Sequence, residues 1–332
     1  MCPSVPESDG PHFLGIGAQK AGTTGLHANF SHHPLVWMPP EKELHYFDEK
    51  LDRTRDIEEA LRSEEVWAVR WRRQVQRQLR NHARDPDSTD LAWCARYFVS
   101  QPDDGWYRSL FAPGRDRVSG EFTPEYALLG RRRIGRVREL NPDLRIIYML
   151  RNPIERAWSA VHMTARARGA QASSQWYLEA LQQSRVAAHT AYASNLDRWL
   201  SVFPAEQLFL GYLEDLSFHP RKILKAAYTF LGVEQGEYRV VNRKVHSGGA
   251  STIPTPVAER LAAQYHDDLV SLADRFGGHA STWLAIAEQL LDDPPDQPEI
   301  GYPFWEGDLA AAVAGYRTAT GVPPGPFSGP LA

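Results

Sequence analysis

Four short groups of residues in this 332-residue chain are of the types, and at the spacings, that chemistry on an anion requires. The first is Gly17-x-x-x-x-Gly22-Thr23-Thr24, with Lys20 inside the loop and the apolar run from Phe13 to Ile16 before it. Glycines let main-chain N–H groups curl round a phosphate, and a helix that follows turns its positive end toward it. Ala21, Gly22, Thr23 and Thr24 are the candidate binders, with Lys20 leaning over the anion from the loop itself. The glycine frame copies that of a nucleotide-binding P-loop, yet Thr23 stands where that motif has its lysine. An ordinary strand-to-helix turn would carry the same letters.

The second group is Glu43, His45 and Asp48, delivered by a turn that begins at Pro39-Pro40. Two carboxylates and an imidazole can do acid/base work if this turn folds back over the first loop; a solvated loop is the alternative. The third is Arg151-Asn152-Pro153 followed by Ser159. Asn152 is a natural N-cap and Pro153 a natural first helical residue, which puts Arg151 at the tip of the preceding strand and Ser159 two turns into the helix. A guanidinium fork and a hydroxyl there can face one anion, although a capped helix beside a surface arginine would read the same. The fourth is the polar, basic stretch 242–249, carrying Arg243 and Lys244, a loop of a kind that can close over a cofactor.

Bulk properties narrow the setting. The chain has 37 Lys and Arg against 41 Asp and Glu, net charge −4, so no global basic surface directs it to nucleic acid. Two cysteines argue against a disulfide framework and against a cysteine-rich metal site, and no metal ligand set is evident. The first residues lack a basic and then apolar leader, and no stretch reads as a membrane span, so a cytoplasmic protein is expected.

The elements that must position these groups alternate. A helix is expected from about Thr24 to Ser31, an extended piece over Leu35 to Met38, and a long helix from about Arg55 to Ala83 with Trp67, Trp71, Val75 and Leu79 on one packed face. Arg70, Arg72, Arg73, Arg77, Arg80 and Arg84 stud the rest of that helix; they form a guanidinium wall for an acidic acceptor or, as charged faces mostly do, meet water. Val118 to Tyr126 reads as a strand edge turning into a helix at Pro124 that continues to Leu140. Ile146 to Leu150 reads as a buried parallel strand, Gln207 to Tyr212 as another, and Pro256 to Phe276 as a helix. The pattern predicts a three-layer α/β/α architecture with a central parallel sheet. It forms one domain over 13–291, with a helical insertion at about 50–90, a loose N-terminus and a Pro/Gly-rich end, 292–332, without regular structure.

Gln19-Lys20-Ala21-Gly22-Thr23-Thr24-x-Leu26 and Arg151-Asn152-Pro153-x-x-Arg156-x-x-Ser159, in this order, resemble the sulfotransferases that use 3′-phosphoadenosine 5′-phosphosulfate, above all the branch of heparan sulfate N- and 3-O-sulfotransferases and their bacterial relatives. Lys42-Glu43-x-His45-x-Phe47-Asp48 is similar to the segment holding that family's catalytic glutamate, Tyr212-x-Glu214-Asp215-Leu216 to a late strand-to-helix junction, and 242–246 to the basic loop over the cofactor. The chain departs from the branch at Phe122, where a sugar-binding lysine is usual, and at Arg243-Lys244, where a Lys-Gly pair is usual.

The resemblance implies a P-loop-like fold and metal-independent transfer of a sulfuryl group to an acceptor hydroxyl, or less readily an amine, of a small molecule, glycoside or lipid. It further implies Lys20 on the 5′-phosphate and bridging oxygen, Glu43 as base with His45 orienting it or the acceptor, and Arg151 and Ser159 on the 3′-phosphate, with Arg243 and Lys244 covering the nucleotide. A P-loop kinase, or a nucleotide-binding protein without activity, remains the competing reading.

Overall fold

A computed structural model of the chain describes residues 10–48, 56–86, 90–168, 173–233, 252–306, 309 and 328–331. The apolar run forms β1 (Phe13–Gly17), buried at every position. Helix α1 (Thr23–Ser31) follows directly, with Leu26 and Phe30 turned inward. His33 and Pro34 lead into the two-residue β2 (Val36–Trp37).

The stretch expected as one helix from Arg55 divides into α2 (Ile57–Arg62) and α3 (Val66–Arg84). Asp56 starts α2 by accepting from the N–H groups of Glu58 and Glu59. The stripe on α3 holds for Trp71 and Val75, which pack on the core, but Leu79 is 55% exposed. A step of four residues turns about 40° past one revolution of a 3.6-residue helix, so the third step has rotated off the packed face. Next come α4 (Leu91–Val99) and α5 (Asp104–Ser109), whose aromatic side chains interleave: Trp93 stacks on Tyr97 at 5.1 Å and Tyr97 on Trp106 at 5.8 Å.

β3 (Val118–Phe122) is not a sheet edge: it pairs in parallel with β1 on one side and β2 on the other. A 3-10 turn, Pro124–Leu128, ends before α6 (Arg131–Leu140), because Gly130 is extended between them. β4 (Arg145–Leu150) carries the expected buried run and opens into α7 (Pro153–Arg168), where the Asn152 side chain accepts from the Ile154 N–H as a cap. After α8 (Ser174–Leu181), α9 (Ser184–Thr190) and α10 (Tyr192–Leu200) comes β5 (Leu208–Tyr212), then α11 (Leu213–Phe218) and α12 (Pro220–Leu231), which ends on the left-handed Gly232.

β6 (Thr252–Pro254) precedes the long α13 (Thr255–Phe276) and α14 (Gly278–Asp292). In the Pro/Gly-rich end, expected to lack regular structure, the described residues include two short strands: β7 (Glu299–Gly301) pairs antiparallel with β6, and β8 (Gly329–Pro330) adds antiparallel to β5.

The main sheet runs β2-β3-β1-β4-β5-β8, with only β8 antiparallel. The chain leaves β1 toward β2 and β3 on one side and later returns to β4 on the other. The carboxyl ends of β1 and β4 therefore form the crevice at which open α/β sheets bind ligands. Among the described residues no helix is long and apolar enough to cross a membrane.

Candidate active site

The first loop is anchored from below. Phe13, Phe30 and Phe122 pack edge to face, with Phe13 and Phe30 centroids 5.4 Å apart and Phe30 and Phe122 5.5 Å apart. Phe122 is fully buried, and its ring lies where a Cβ on Gly15 would come within 1.9 Å. Phe122 thus fills the core under the loop. Above it, the Ala18 N–H donates to the Met149 carbonyl at 2.6 Å, and Gly22 enters α1 with φ 84°, a conformation that favours glycine. No side chain caps α1 and no acidic residue lies in its first turn. Its leading N–H groups and the positive end of its dipole are therefore presented to an anion.

Among the described residues, the non-glycine residues with positive φ are Lys20 (71°), Glu43 (64°) and His45 (58°). Each such residue costs about 1–3 kcal/mol and persists only where its surroundings hold it. All three belong to the groups singled out above for anion and proton chemistry. The clamp on the second group is Glu121 of β3, a fully buried carboxylate whose oxygens accept from the Leu44 N–H (3.1 Å), Tyr107 (2.8 Å), Thr123 (2.6 Å) and Tyr126 (3.0 Å). The Tyr126 hydroxyl in turn accepts the Tyr46 N–H at 2.8 Å.

So held, the turn does fold back over the first loop. Lys42 Nζ donates both to Thr24 Oγ1 (3.2 Å) and to Glu43 Oε1 (3.1 Å). Glu43 Oε2 lies 3.7 Å from His45 Nε2, an ion-pair distance and not a hydrogen bond. His45 Nδ1 lies 2.6 Å from Asp48 Oδ2; a carboxylate accepts, so Nδ1 carries the proton and Nε2 faces Glu43. Burial pushes the Glu43 carboxyl up, but His45 and Lys42 outweigh it and hold the group down at about 2. Glu43 is thus ionised at neutral pH, able to accept a proton but weakly basic while Lys42 stays on it.

The charges around Lys20 run the other way. Burial lowers its ammonium pKa, and Arg151, Arg166 and Lys42 lower it further. Several cations converging on a half-buried loop repel one another, and an anion is what relieves them. Arg151, 3% exposed at the tip of β4, reaches that loop: Nη1 donates to the Lys20 carbonyl at 3.2 Å, Nε to Glu155 at 3.2 Å and Nη2 to the Tyr302 hydroxyl at 2.6 Å. Ser159, on α7, lies on the same side of the site as Tyr302 and lowers the pKa of its phenol. Arg156 instead turns into the core, donating to Thr190 at 2.8 Å and to the Val186 carbonyl at 2.7 Å.

A sulfotransferase family model matches residues 11–237, more than half of the chain. This chain belongs to the sulfotransferase family. Among solved structures, a sulfotransferase from Alicyclobacillus acidocaldarius is similar at 23% identity and TM-score 0.54, over 80% of this chain and 95% of that one. The sulfotransferase domain of a Synechococcus olefin synthase is 19% identical with TM-score 0.47, over 71% and 78% of the two chains. The corresponding domain from the curacin biosynthetic pathway is 20% identical with TM-score 0.49, over 73% and 83%. No curated protein gives a significant match.

In this sulfotransferase the structure brings Lys20, Ala21, Gly22, Thr23, Thr24, Glu43, His45, Arg151 and Ser159 to the carboxyl ends of β1 and β4, while Arg243 and Lys244 lie outside the described residues. Sequence reasoning missed four neighbours. Glu155 follows Arg151 by one helical turn and was legible as its partner; it is fully buried and also accepts the Phe304 N–H at 2.6 Å. His27 lies one turn after Thr23 and Thr24, and burial with Lys42 nearby lowers its pKa to about 4, leaving a neutral ring beside Glu43. Glu121 lies in a short mixed strand, and its burial could not be read from its neighbours. Tyr302, far off in the chain, had no local signal at all. The Glu214-Asp215 junction proves to be an anchor: Glu214 accepts from Trp283 at 2.7 Å, and Asp215 takes His279 and Ser328, each at 2.8 Å.

Proposed function

We propose that this protein transfers a sulfuryl group from 3′-phosphoadenosine 5′-phosphosulfate to the hydroxyl, or less readily the amine, of an acceptor. The observation that carries the reading is the contact of Arg151 with the Lys20 carbonyl, because it places a guanidinium from β4 against the glycine loop of β1. Two anionic ends of one small molecule can then be met at one crevice. The uncapped α1 start and the mutually repelling cations suit such a doubly phosphorylated ligand. When bound, the nucleotide supplies the activated sulfuryl group and a phosphate as leaving group.

The chain's own residues supply the rest. Lys20 and the N–H groups from Ala21 to Thr24 hold the 5′ end, where Lys20 meets negative charge as it grows on the leaving oxygen. Arg151 and Ser159 hold the 3′-phosphate. Glu43 takes the proton that the acceptor hydroxyl loses; Lys42 holds its carboxylate and Asp48 fixes the His45 ring beside it. Catalysis of this kind is positioning and electrostatics, by analogy with phosphoryl transfer.

The test is calorimetry with adenosine 3′,5′-bisphosphate in the absence of metal, set beside magnesium-ATP, followed by radiolabelled sulfate transfer to an acceptor panel. The bisphosphate should bind and ATP should not; binding of magnesium-ATP alone would overturn the reading.

A further inference from the structure

Beside Glu43 an open cleft of about 970 Å³ separates the Lys42-Glu43 turn from one face of α3, where Val66, Val69, Arg70 and Arg73 line it. The arginines of that face are spaced in a way the rest of the helix is not: Arg70, Arg73, Arg77, Arg80 and Arg84 fall at alternating steps of three and four, so they form one ladder, and all are exposed. Fourteen residues of helix make that ladder about 21 Å long, and its first three arginines line the cleft itself. A second hollow of about 290 Å³ continues along it between Arg73 and Arg84.

A merely solvated helix face interleaves signs, since like charges at these steps repel. α3 has six arginines and no acidic residue. Among the described residues only Arg77 of the ladder has a carboxylate partner, the buried Glu41, which also accepts from Gln78 at 2.7 Å and Gln74 at 3.2 Å. Glu41 thereby fastens α3 to the turn that carries Glu43, so the ladder's position is fixed relative to the reactive carboxylate. The other acids on the cleft are engaged: Glu64 by Arg72 at 3.3 Å and Glu43 by Lys42. The cleft wall is cationic, with Val66 and Val69 contributed by the first turn of α3.

We infer that the acceptor is an elongated molecule whose hydroxyl enters beside Glu43 and whose distal end bears an oxyanion, carboxylate, phosphate or sulfate, held by the Arg70 to Arg84 ladder. This rests on the sulfuryl-transfer reading for what happens at the hydroxyl, but the anion preference stands on the ladder. Val66 and Val69 cover an apolar stem, and the guanidinium forks match the planar or tetrahedral oxyanion at its end.

The test uses ω-hydroxydodecanoate, ω-hydroxydodecyl phosphate and the neutral ω-hydroxydodecanamide, titrated by calorimetry against the full chain, alone and loaded with adenosine 3′,5′-bisphosphate, at low and high salt. Both oxyanions should bind at least about tenfold more tightly than the amide at low salt, a gap equivalent to about 1.4 kcal/mol. The gap should narrow with salt and close toward one in the double variant Arg70→Ala with Arg73→Ala, whose fold is checked by circular dichroism. Equal binding of charged and neutral probes by the native chain, or a gap that survives the double variant, overturns the inference. Failure of the bisphosphate to bind would instead strike the sulfuryl-transfer reading, because the probe affinities of the unloaded protein still report the oxyanion preference.

Discussion

The Nη1 group of Arg151 donates to the main-chain carbonyl of Lys20 at 3.2 Å, so the tip of β4 and the loop after β1 are joined where the two proposed anion-binding groups meet. Lys20 is itself in the left-handed region, and this bond is one of the contacts that hold it there. Arg151→Lys keeps a charge but loses the fork. It should weaken adenosine 3′,5′-bisphosphate binding by about 10- to 100-fold, as loss of charge-assisted hydrogen bonds does. Lys20→Ala should leave more of that affinity and lower turnover by about 100-fold or more, the size seen when a donor to developing charge is removed. Calorimetry and single-turnover rates separate the two effects, and equal loss of binding and turnover in both variants would contradict the assignment.

Tyr302 occupies a donor that the proposed 3′-phosphate needs, since its hydroxyl accepts from Arg151 Nη2 at 2.6 Å. Tyr302→Phe removes the hydroxyl and keeps the ring over the guanidinium, whose carbon lies 5.2 Å from the ring centroid. The bisphosphate should then bind several-fold more tightly, measured as its dissociation constant. Weaker binding would mean that the hydroxyl serves the nucleotide directly.

Glu43 is held at about 2, below its ordinary 4.5, so its favourable contacts are present above pH 4.5 and are lost as the pH falls toward 2. Glu43→Gln should flatten the acid limb of stability over that window, followed by thermal melts across pH. The same variant should lower kcat by about 100- to 10,000-fold, the range for a lost general base, while the native kcat/KM shows no inflection from Glu43 between pH 5 and 8. A native inflection in that interval that disappears in the variant would show the carboxylate to be far more basic than Lys42 and His45 make it.

Glu121 accepts four hydrogen bonds in the core, one of them the Leu44 N–H. Glu121→Ala leaves buried hydroxyls and an N–H without an acceptor and should cost about 2–4 kcal/mol of stability, seen as a fall in Tm. Glu121→Gln keeps the volume and one acceptor oxygen, so it should fold and bind the bisphosphate normally yet lose kcat, because the 41–48 turn is less firmly set. Unchanged kcat in that variant would remove Glu121 from the positioning of Glu43.

Local chemistry made much of the fold legible. Ile146 to Leu150 is an unbroken apolar run bounded by Arg151, and it is a buried strand; Asn152 and Pro153 start α7 as their side chains dictate; Gly232 ends α12 with positive φ. Errors arose where a local pattern had two outcomes. Leu79 continued the four-residue step and rotated into solvent, Gly130 separated two helical pieces that read as one, and 292–332 was Pro/Gly-rich yet supplied β7 and β8, because pairing with β6 and β5 is a contact its own composition does not encode.

By itself the sequence determined the residue types at the crevice and the order of strands and helices that brings them to one end of a parallel sheet, since capping, periodicity and glycine spacing act over a few residues. Only the tertiary structure decided that Lys42 bridges Thr24 and Glu43, that Glu121 fastens the 41–48 turn, and that Tyr302 takes a donor of Arg151. The Arg151 and Tyr302 partners are 151 positions apart, and the bond between them depends on how the sheet, α7 and the β6–β7 pair pack together. No neighbouring residue carries that information.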